Sequence, residues 1–161
     1  MEYIDIFEQL QKRNVRYLIC GGLAVNIYGI PRMTADIDLL LDFEEENIAS
    51  FEAALKFLNY VASVPVALKS LVNKSDREKI VREKNMIVYS FYNSRSGCAS
   101  LDVLIDVPLT FDELWKEREI RNNNNLNLNL VSLHHLIELK KYSNRKQDND
   151  DIILLSKLLK K

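Results

Sequence analysis

The sequence has little cysteine, almost no net charge and no long hydrophobic run. Its two cysteines, Cys20 and Cys98, are too few for a disulfide framework or a four-ligand zinc site. No apolar run approaches the roughly 18 residues of a membrane-spanning helix, and the acidic start MEYIDIFEQL lacks the basic head and apolar core of a signal peptide. We therefore expect a cytoplasmic protein without a membrane partner. The net charge of −1 argues against a nonspecific nucleic-acid coat.

The composition is that of an ordinary globular protein. Its 161 residues are 47% apolar and 28% charged, which predicts one domain over residues 1–161. Charge is unevenly distributed along the chain. Residues 1–65 contain 5 Lys or Arg and 10 Asp or Glu, whereas residues 66–161 contain 17 Lys or Arg and 13 Asp or Glu. This division suits a site where acids hold metal and bases receive phosphate, but a solvated surface produces it too.

Hydrophobic spacing predicts an α+β fold with a mixed β-sheet of about five strands flanked by helices. Residues 132–161 form a C-terminal helical segment in this prediction. A capping box is expected at Asp42 and Glu45, and another at Thr110 and Glu113. The expected strands are 15–20, 36–41, 86–92, 101–107 and 126–130, the last of them at an edge. Residues 60–84 give no clear pattern, 94–97 are expected to turn, and the asparagine run 122–125 is expected to be a loop.

The most informative segment runs from Gly21 to Asp42. Gly21 and Gly22 follow a predicted strand and precede a helix, where backbone N–H groups can approach a phosphate. Asp36 and Asp38 are two residues apart on the next strand, so both carboxylates lie on one face. Two neighbouring carboxylates repel each other unless a cation lies between them. Mg²⁺ is the expected cation because it binds carboxylates together with substrate phosphates.

A third carboxylate is needed if two metal ions are to lie about 3.5–4 Å apart for displacement at phosphorus. Asp102 and Asp106 both lie on the later strand LDVLIDV and share a face. Asp102 is the preferred candidate because Asp106 precedes Pro108 and can simply end the strand.

With these motifs the sequence resembles the DNA-polymerase-β-like nucleotidyltransferases, whose signature is Gly-Gly or Gly-Ser, a short spacer and Asp-apolar-Asp. Here 13 residues separate Gly22 from Asp36. The resemblance is closest to small bacterial AbiEii-like, toxin-type nucleotidyltransferases, which share the pattern of residues 29–40, GIPRMTADIDLL. A second block, LIELK followed by Arg145, Asp148 and Asp151, is similar to their C-terminal pattern.

The resemblance implies a nucleotidyltransferase fold and a Mg²⁺-dependent enzyme that transfers a nucleoside monophosphate from a nucleoside triphosphate to a hydroxyl acceptor, with two Mg²⁺ ions when the triphosphate is bound. It implies metal-binding and catalytic roles for Asp36, Asp38 and Asp102. Nucleotide-binding roles fall to residues in three separate segments. They are Gly21, Gly22, Arg32, Thr34, Lys140 and Asp148.

Less specific interpretations stand beside these roles. Asp36 and Asp38 could cap the following helix, Lys140 could be a surface lysine, and Asp148 could be an acid that favours a helix N-terminus. His134 and His135 are adjacent, so their rings are expected to point in different directions rather than to form a metal pair.

The acceptor remains open at the level of sequence. An RNA such as tRNA, or a protein, is one expectation, with the chain acting as the toxin of a toxin–antitoxin pair and binding an antitoxin; the basic stretch 69–84 could guide an RNA. A small-molecule, antibiotic-type enzyme is the alternative, and it predicts an aromatic acceptor pocket near Tyr89, Phe91 and Tyr92. A non-catalytic nucleotide-binding module is the third, which the intact pair of aspartates opposes.

Overall fold

The computed structural model describes residues 2–93 and 99–160 as an α+β fold with one mixed β-sheet. The helices are α1 (Glu2–Lys12), α2 (Gly21–Ile27), α3 (Glu45–Phe57), α4 (Lys74–Lys84), α5 (Phe111–Lys116), α6 (Leu133–Ser143) and α7 (Lys146–Leu158), with a short 3₁₀ helix at Leu68–Leu71. The strands are β1 (Tyr17–Ile19), β2 (Asp36–Leu41), β3 (Tyr60–Ala62), β4 (Val88–Asn93), β5 (Ser100–Leu104), β6 (Glu119–Asn123) and β7 (Leu126–Leu130). The predicted turn at 94–97 and Cys98 lie outside the described residues.

The sheet has the strand order β3-β4-β5-β2-β1-β7-β6, so the described residues form seven strands rather than about five. β3 lies in the segment whose sequence gave no clear pattern. β6 is mostly exposed and has the sequence EIRNN, which lacks the apolar alternation on which strand prediction depends. The predicted mixed character is confirmed, because β2 pairs with β5 in parallel and with β1 in antiparallel orientation.

The asparagine run forms a hairpin turn rather than a longer loop. Asn122 and Asn123 end β6 and pair with β7, and Asn124 has a φ of +54° in the turn between the strands. Asparagine tolerates this left-handed conformation better than most residues. Because β6 lies outside β7, the expectation that β7 is an edge strand is wrong.

The two predicted capping boxes have different outcomes. Thr110 and Glu113 form the predicted reciprocal cap of α5. Asp42 does not cap α3, which begins after Glu44 without a side-chain cap. The carboxylate of Asp42 instead accepts a hydrogen bond from the Arg16 guanidinium. A tertiary ion pair therefore takes the side chain that local spacing assigned to the helix.

The centre of the sheet is the most buried part of the chain and positions the segments that precede and follow it. Every residue of β1 is buried, and in β2 the buried Ile37 and Leu39 alternate with the partly accessible Asp36 and Asp38. The apolar side chains thus anchor β2 in the core while its two acids face the other side. Among residues 2–93 and 99–160, no helix combines the length and the hydrophobicity needed to cross a bilayer.

Candidate active site

Three carboxylates meet where β2 lies beside β5. The two strands pair in parallel with Asp38 opposite Asp102 and Asp36 opposite Ser100. Side chains at paired positions lie on the same face of a sheet, and neighbouring strands are about 4.8 Å apart. Asp36 also accepts a hydrogen bond from the Ser100 hydroxyl. The structure therefore brings together the three acids that the sequence places in separate segments.

The electrostatics of this trio favour a bound cation. The pKa of Asp38 is raised first by burial and then by the charge of Asp102, although a hydrogen bond from the Gly22 backbone lowers it. Burial also raises the pKa of Asp102. A hydrogen bond from Ser90 lowers this pKa, and the charge of Asp36 raises it further. Burial and mutual repulsion thus make the ionised forms of Asp38 and Asp102 energetically unfavourable, and a nearby cation would offset this free-energy cost.

The donor set fits Mg²⁺. It consists of carboxylate oxygens from Asp36, Asp38 and Asp102, and Mg²⁺ prefers such oxygens over nitrogen or sulfur ligands. Asp106 is not part of the set, because it follows the end of β5 and accepts a hydrogen bond from the Tyr142 hydroxyl at 3.2 Å.

The two glycines are required because the backbone closely approaches the side chains around it. Gly21 has a φ of +59°, and a Cβ added to it would lie 1.8 Å from Oδ2 of Asp38. A Cβ on Gly22 would lie 2.6 Å from Oγ1 of Thr34 and 3.1 Å from Cζ of Arg32. The turn is therefore packed between Asp38 and the loop before β2. α2 begins at Gly21 itself, two residues earlier than its apolar residues indicate.

Arg32 and Thr34 lie beside the glycine turn, as their distance from Gly22 shows. Thr34 donates its hydroxyl to the carbonyl of Asp36 at 3.2 Å. Arg32 is held by the carboxylate of Asp151, and its guanidinium also donates to the carbonyl of Met33 at 3.3 Å. Both residues are thus placed next to β2 by contacts within the chain.

Lys140 is buried in an ion-pair network on α6 and α7. Its Nζ lies 3.1 Å from Oδ1 of Asp148 and 2.7 Å from Oδ2 of Asp151, and all three side chains are at most 6% exposed. The interpretation of Lys140 as a surface lysine is therefore wrong. Asp148 does lie in the first turn of α7, as its interpretation as a helix N-terminal acid expects, but its side chain is also buried against Lys140. The amine already has two carboxylate partners.

Asp148 connects this buried lysine to Arg145, whose side chain is 72% exposed. Its Oδ2 accepts from Nε of Arg145 at 2.9 Å and from the Ser143 hydroxyl. Burial by itself would raise the pKa of Asp148, but the hydrogen bonds from Arg145, Ser143 and Lys140 outweigh it and hold the pKa at about 2. The charge of Arg145 in turn lowers the pKa of Asp38 through space.

Sequence reasoning did not single out four residues that complete the site. Ser100 and Ser90 follow from strand register, because Ser100 on β5 pairs with Asp36 on β2 and Ser90 on β4 pairs with Asp102 on β5. Arg145 and Asp151 lie within the C-terminal pattern but had no individual role. Arg145 contacts Asp148 three residues later at the start of α7, which local spacing could have indicated. The contact of Asp151 with Arg32 depends on how α7 packs, for which the sequence carries no signal.

Tyr89 and Phe91 do not line an open acceptor pocket in the described part of the chain, contrary to the small-molecule prediction. Tyr89 and Phe91 are 2% and 5% exposed in the core, and only Tyr92 is half exposed. A cleft of about 780 Å³ lies instead near the ends of β2 and β5. Its lining includes Leu40 and Leu104, the next residues on the face of Asp38 and Asp102. None of the three acids lines the cleft, which begins at the next pair of residues along the face that carries Asp38 and Asp102.

The cleft has walls of mixed chemistry. α4, none of whose residues is buried, contributes Lys74, Arg77 and Arg82 to one wall. Opposite charges and apolar side chains line the remainder. Among them are Asp42, Glu44, Asp106, Val107, Leu109 and Phe111.

Comparison with known proteins gives structural neighbours but no sequence relatives. No protein-family model matches this sequence, and no curated protein matches it. The crystal structure of ANT(2″)-Ia in complex with adenylyl-2″-tobramycin is similar with a TM-score of 0.62 at 14% identity, over 98% of this chain and 87% of that one. The solution structure of the antibiotic-resistance factor ANT(2″)-Ia gives 0.61 at 13%, over 98% and 82%.

A third neighbour is a Thermotoga maritima protein assigned to the nucleotidyltransferases. Its TM-score is 0.55 at 14% identity, over 99% of this chain and 91% of that one. A special closeness to AbiEii-like proteins does not emerge from these neighbours. At such low identity the likeness concerns the fold, and the fold of this chain is that of the nucleotidyltransferases.

Proposed function

We propose that this protein is a metal-dependent nucleotidyltransferase in which a hydroxyl acceptor attacks the α-phosphorus of a nucleoside triphosphate, takes up the nucleoside monophosphate and releases pyrophosphate. The observation that carries the proposal is the register of β2 and β5, which pairs Asp38 with Asp102 next to a glycine turn. Three partly buried acids with two raised pKa values are costly to a fold unless they serve a cation-binding function.

Asp36 and Asp38 hold Mg²⁺ in this proposal, and Asp102 shares a second ion. When bound, Mg²⁺ supplies charge neutralisation for the triphosphate and acidifies the acceptor hydroxyl. Ser100 and Ser90 donate hydrogen bonds that orient the carboxylates of Asp36 and Asp102. Such support lets the carboxylates act without reorganisation.

Arg145 is a cation whose charge acts on the acid site, because it lowers the pKa of Asp38. Its guanidinium is largely exposed but tied to Asp148, which is tied to Lys140. We infer that Lys140 acts through Asp148 by orienting Arg145 toward the phosphates, rather than by touching them itself. Asp151 likewise orients Arg32 toward the phosphates, since its carboxylate binds both Lys140 and Arg32. Two arginines flanking the acids would offset the charge that develops on the phosphates.

The acceptor is proposed to be an RNA hydroxyl or a protein hydroxyl. The exposed basic residues of α4 support an RNA, because Lys74 and Arg82 line the cleft beside the acids and lysine and arginine attract a phosphate backbone. Under this proposal the chain acts as the toxin of a toxin–antitoxin pair. Expression of the wild type should then arrest growth and expression of Asp38→Asn should not, with relief by a protein antitoxin.

A small hydroxyl compound is the second candidate acceptor. The cleft volume of about 780 Å³ lies within the usual range of roughly 300–1,000 Å³ for small-molecule sites. ANT(2″)-Ia, which shares the fold, holds adenylyl-2″-tobramycin in its crystal structure. Arg77 and Phe111 would line the acceptor site in this case.

The activity test uses each nucleoside triphosphate labelled at the α-phosphate, with Mg²⁺ and either total cellular RNA or a protein-free small-molecule extract. We expect transfer by the wild type and at most one-thousandth of it by Asp38→Asn. The matched control is Asp150→Asn, which makes the same chemical change at an exposed position and should retain activity. Equal transfer by wild type and Asp38→Asn would refute the assignment, and the labelled fraction distinguishes the two acceptors.

A further inference from the structure

A cluster of three potential metal ligands lies outside the acid trio. Glu117 follows α5, and His134 and His135 lie in the first turn of α6. One ligand atom from each lies within 4.8 Å of the others. The expectation that the adjacent histidines diverge is wrong, because their ring centroids are 3.9 Å apart.

A single hydroxyl organises both imidazole rings. Oγ of Ser132 lies 3.2 Å from Nδ1 of His134 and 3.0 Å from Nδ1 of His135. A hydroxyl oxygen has two lone pairs and can accept from both Nδ1–H groups. That arrangement leaves the lone pair of each ring on Nε2, which is how a second partner commonly prepares a histidine for metal binding.

The spacing of the outer ligand atoms matches one metal ion. Nε2 of His134 lies 3.3 Å from Oε2 of Glu117. Two ligands at tetrahedral positions, each about 2.0–2.1 Å from zinc, are separated by about 3.3 Å. His134 and Glu117 are about half exposed, whereas His135 is 7% exposed. A cation can therefore enter from solvent and meet one ligand that the core already fixes.

We propose that Glu117, His134 and His135 form a site for a divalent cation of the zinc type. Two imidazole nitrogens and one carboxylate oxygen suit Zn²⁺, whereas Mg²⁺ prefers oxygen ligands alone. Three protein ligands leave a fourth position for water or an external ligand. The site joins the end of α5 to the start of α6 and uses none of the acids on β2 and β5, so it is independent of the proposed transfer reaction.

The test is calorimetric titration of Zn²⁺ alone into the full chain carrying Asp38→Asn and Asp102→Asn, which removes two carboxylates of the acid trio. We expect one Zn²⁺ per chain and a higher midpoint of thermal unfolding when Zn²⁺ is present. Glu117→Gln and His134→Ala change exposed side chains and should each weaken binding tenfold or more. Glu138→Gln, an exposed acid one turn further along α6, is the matched control and should bind as before.

Co²⁺ provides a second measurement, because a tetrahedral ion with nitrogen ligands absorbs strongly in the visible range. We expect this absorption in the starting variant and its loss in His134→Ala. Absence of stoichiometric Zn²⁺ binding, or affinity in Glu117→Gln and His134→Ala equal to that of the starting variant, would overturn the proposal and leave only a histidine–glutamate contact.

Discussion

Replacing Asp38 with asparagine should make the metal-free protein more stable while abolishing transfer. Asp38 and Asp102 occupy paired positions on neighbouring strands. Two charges about 5 Å apart repel by about 3 kcal/mol at an effective dielectric constant of 20. Because both carboxyls are partly accessible to solvent, we expect Asp38→Asn to raise the free energy of unfolding by roughly half of that, about 1–2 kcal/mol at pH 7.

The pH dependence of stability tests independently whether the ionised carboxylates of Asp38 and Asp102 destabilise the metal-free fold. The pKa of Asp38 and that of Asp102 are raised in the folded state, so the folded protein holds more protons than the unfolded chain above the ordinary carboxyl pKa. Stability therefore falls as the pH rises from about 4 through the raised pKa values. Asp148 behaves oppositely, because its lowered pKa of about 2 makes stability rise with pH between about 2 and 4.

The assay is urea denaturation followed by circular dichroism, with EDTA or with excess Mg²⁺, from pH 4 to pH 8. In EDTA the wild type should lose stability with rising pH and Asp38→Asn should lose less. Mg²⁺ should stabilise the wild type and leave the variant nearly unchanged. The reasoning fails if Asp38→Asn is no more stable than the wild type in EDTA, or if Mg²⁺ stabilises both equally. Asp150→Asn should follow the wild type throughout.

Three further substitutions test the packing around the site. Gly21→Ala should abolish transfer, because its Cβ displaces Asp38, and should lower the free energy of unfolding by at least roughly 1–2 kcal/mol, the cost of a left-handed backbone for alanine. Gly29→Ala is the control, since Gly29 also has a positive φ but open space around it. This variant should lose stability and keep activity. Lys140→Met removes the buried amine that Asp148 and Asp151 share, leaving them only Arg145 and Arg32 as cationic partners, and should cost about 3 kcal/mol in urea denaturation, whereas the exposed neighbour variant Lys141→Met should cost almost nothing. Thr110→Ala removes the cap of α5 and should cost about 1 kcal/mol in urea denaturation without changing the transfer rate; an unchanged unfolding free energy would contradict the capping role.

Local patterns in the sequence were sufficient where the chemistry is local. The alternation in β2 separates Ile37 and Leu39 from Asp36 and Asp38, and this alternation is a property of any strand. Thr110 and Glu113 form their cap because both partners lie within one turn. Asp42 shows the limit of such reasoning. Its spacing from Glu45 indicated a capping box equally well, but its carboxylate binds the distant Arg16 instead.

The sequence by itself determined which residues could hold a cation, because the residue types, the strand period and the glycine turn are encoded within about 20 positions between Gly21 and Leu41. Only the tertiary structure decided which groups these residues and the other charged residues of the chain contact. The pairing of Asp38 with Asp102, the burial of Lys140 between Asp148 and Asp151, and the approach of Glu117 to His134 all join segments that are far apart or pack through helices. Such contacts depend on strand order and helix packing, which arise from the whole core at once and leave no periodic mark in any one segment.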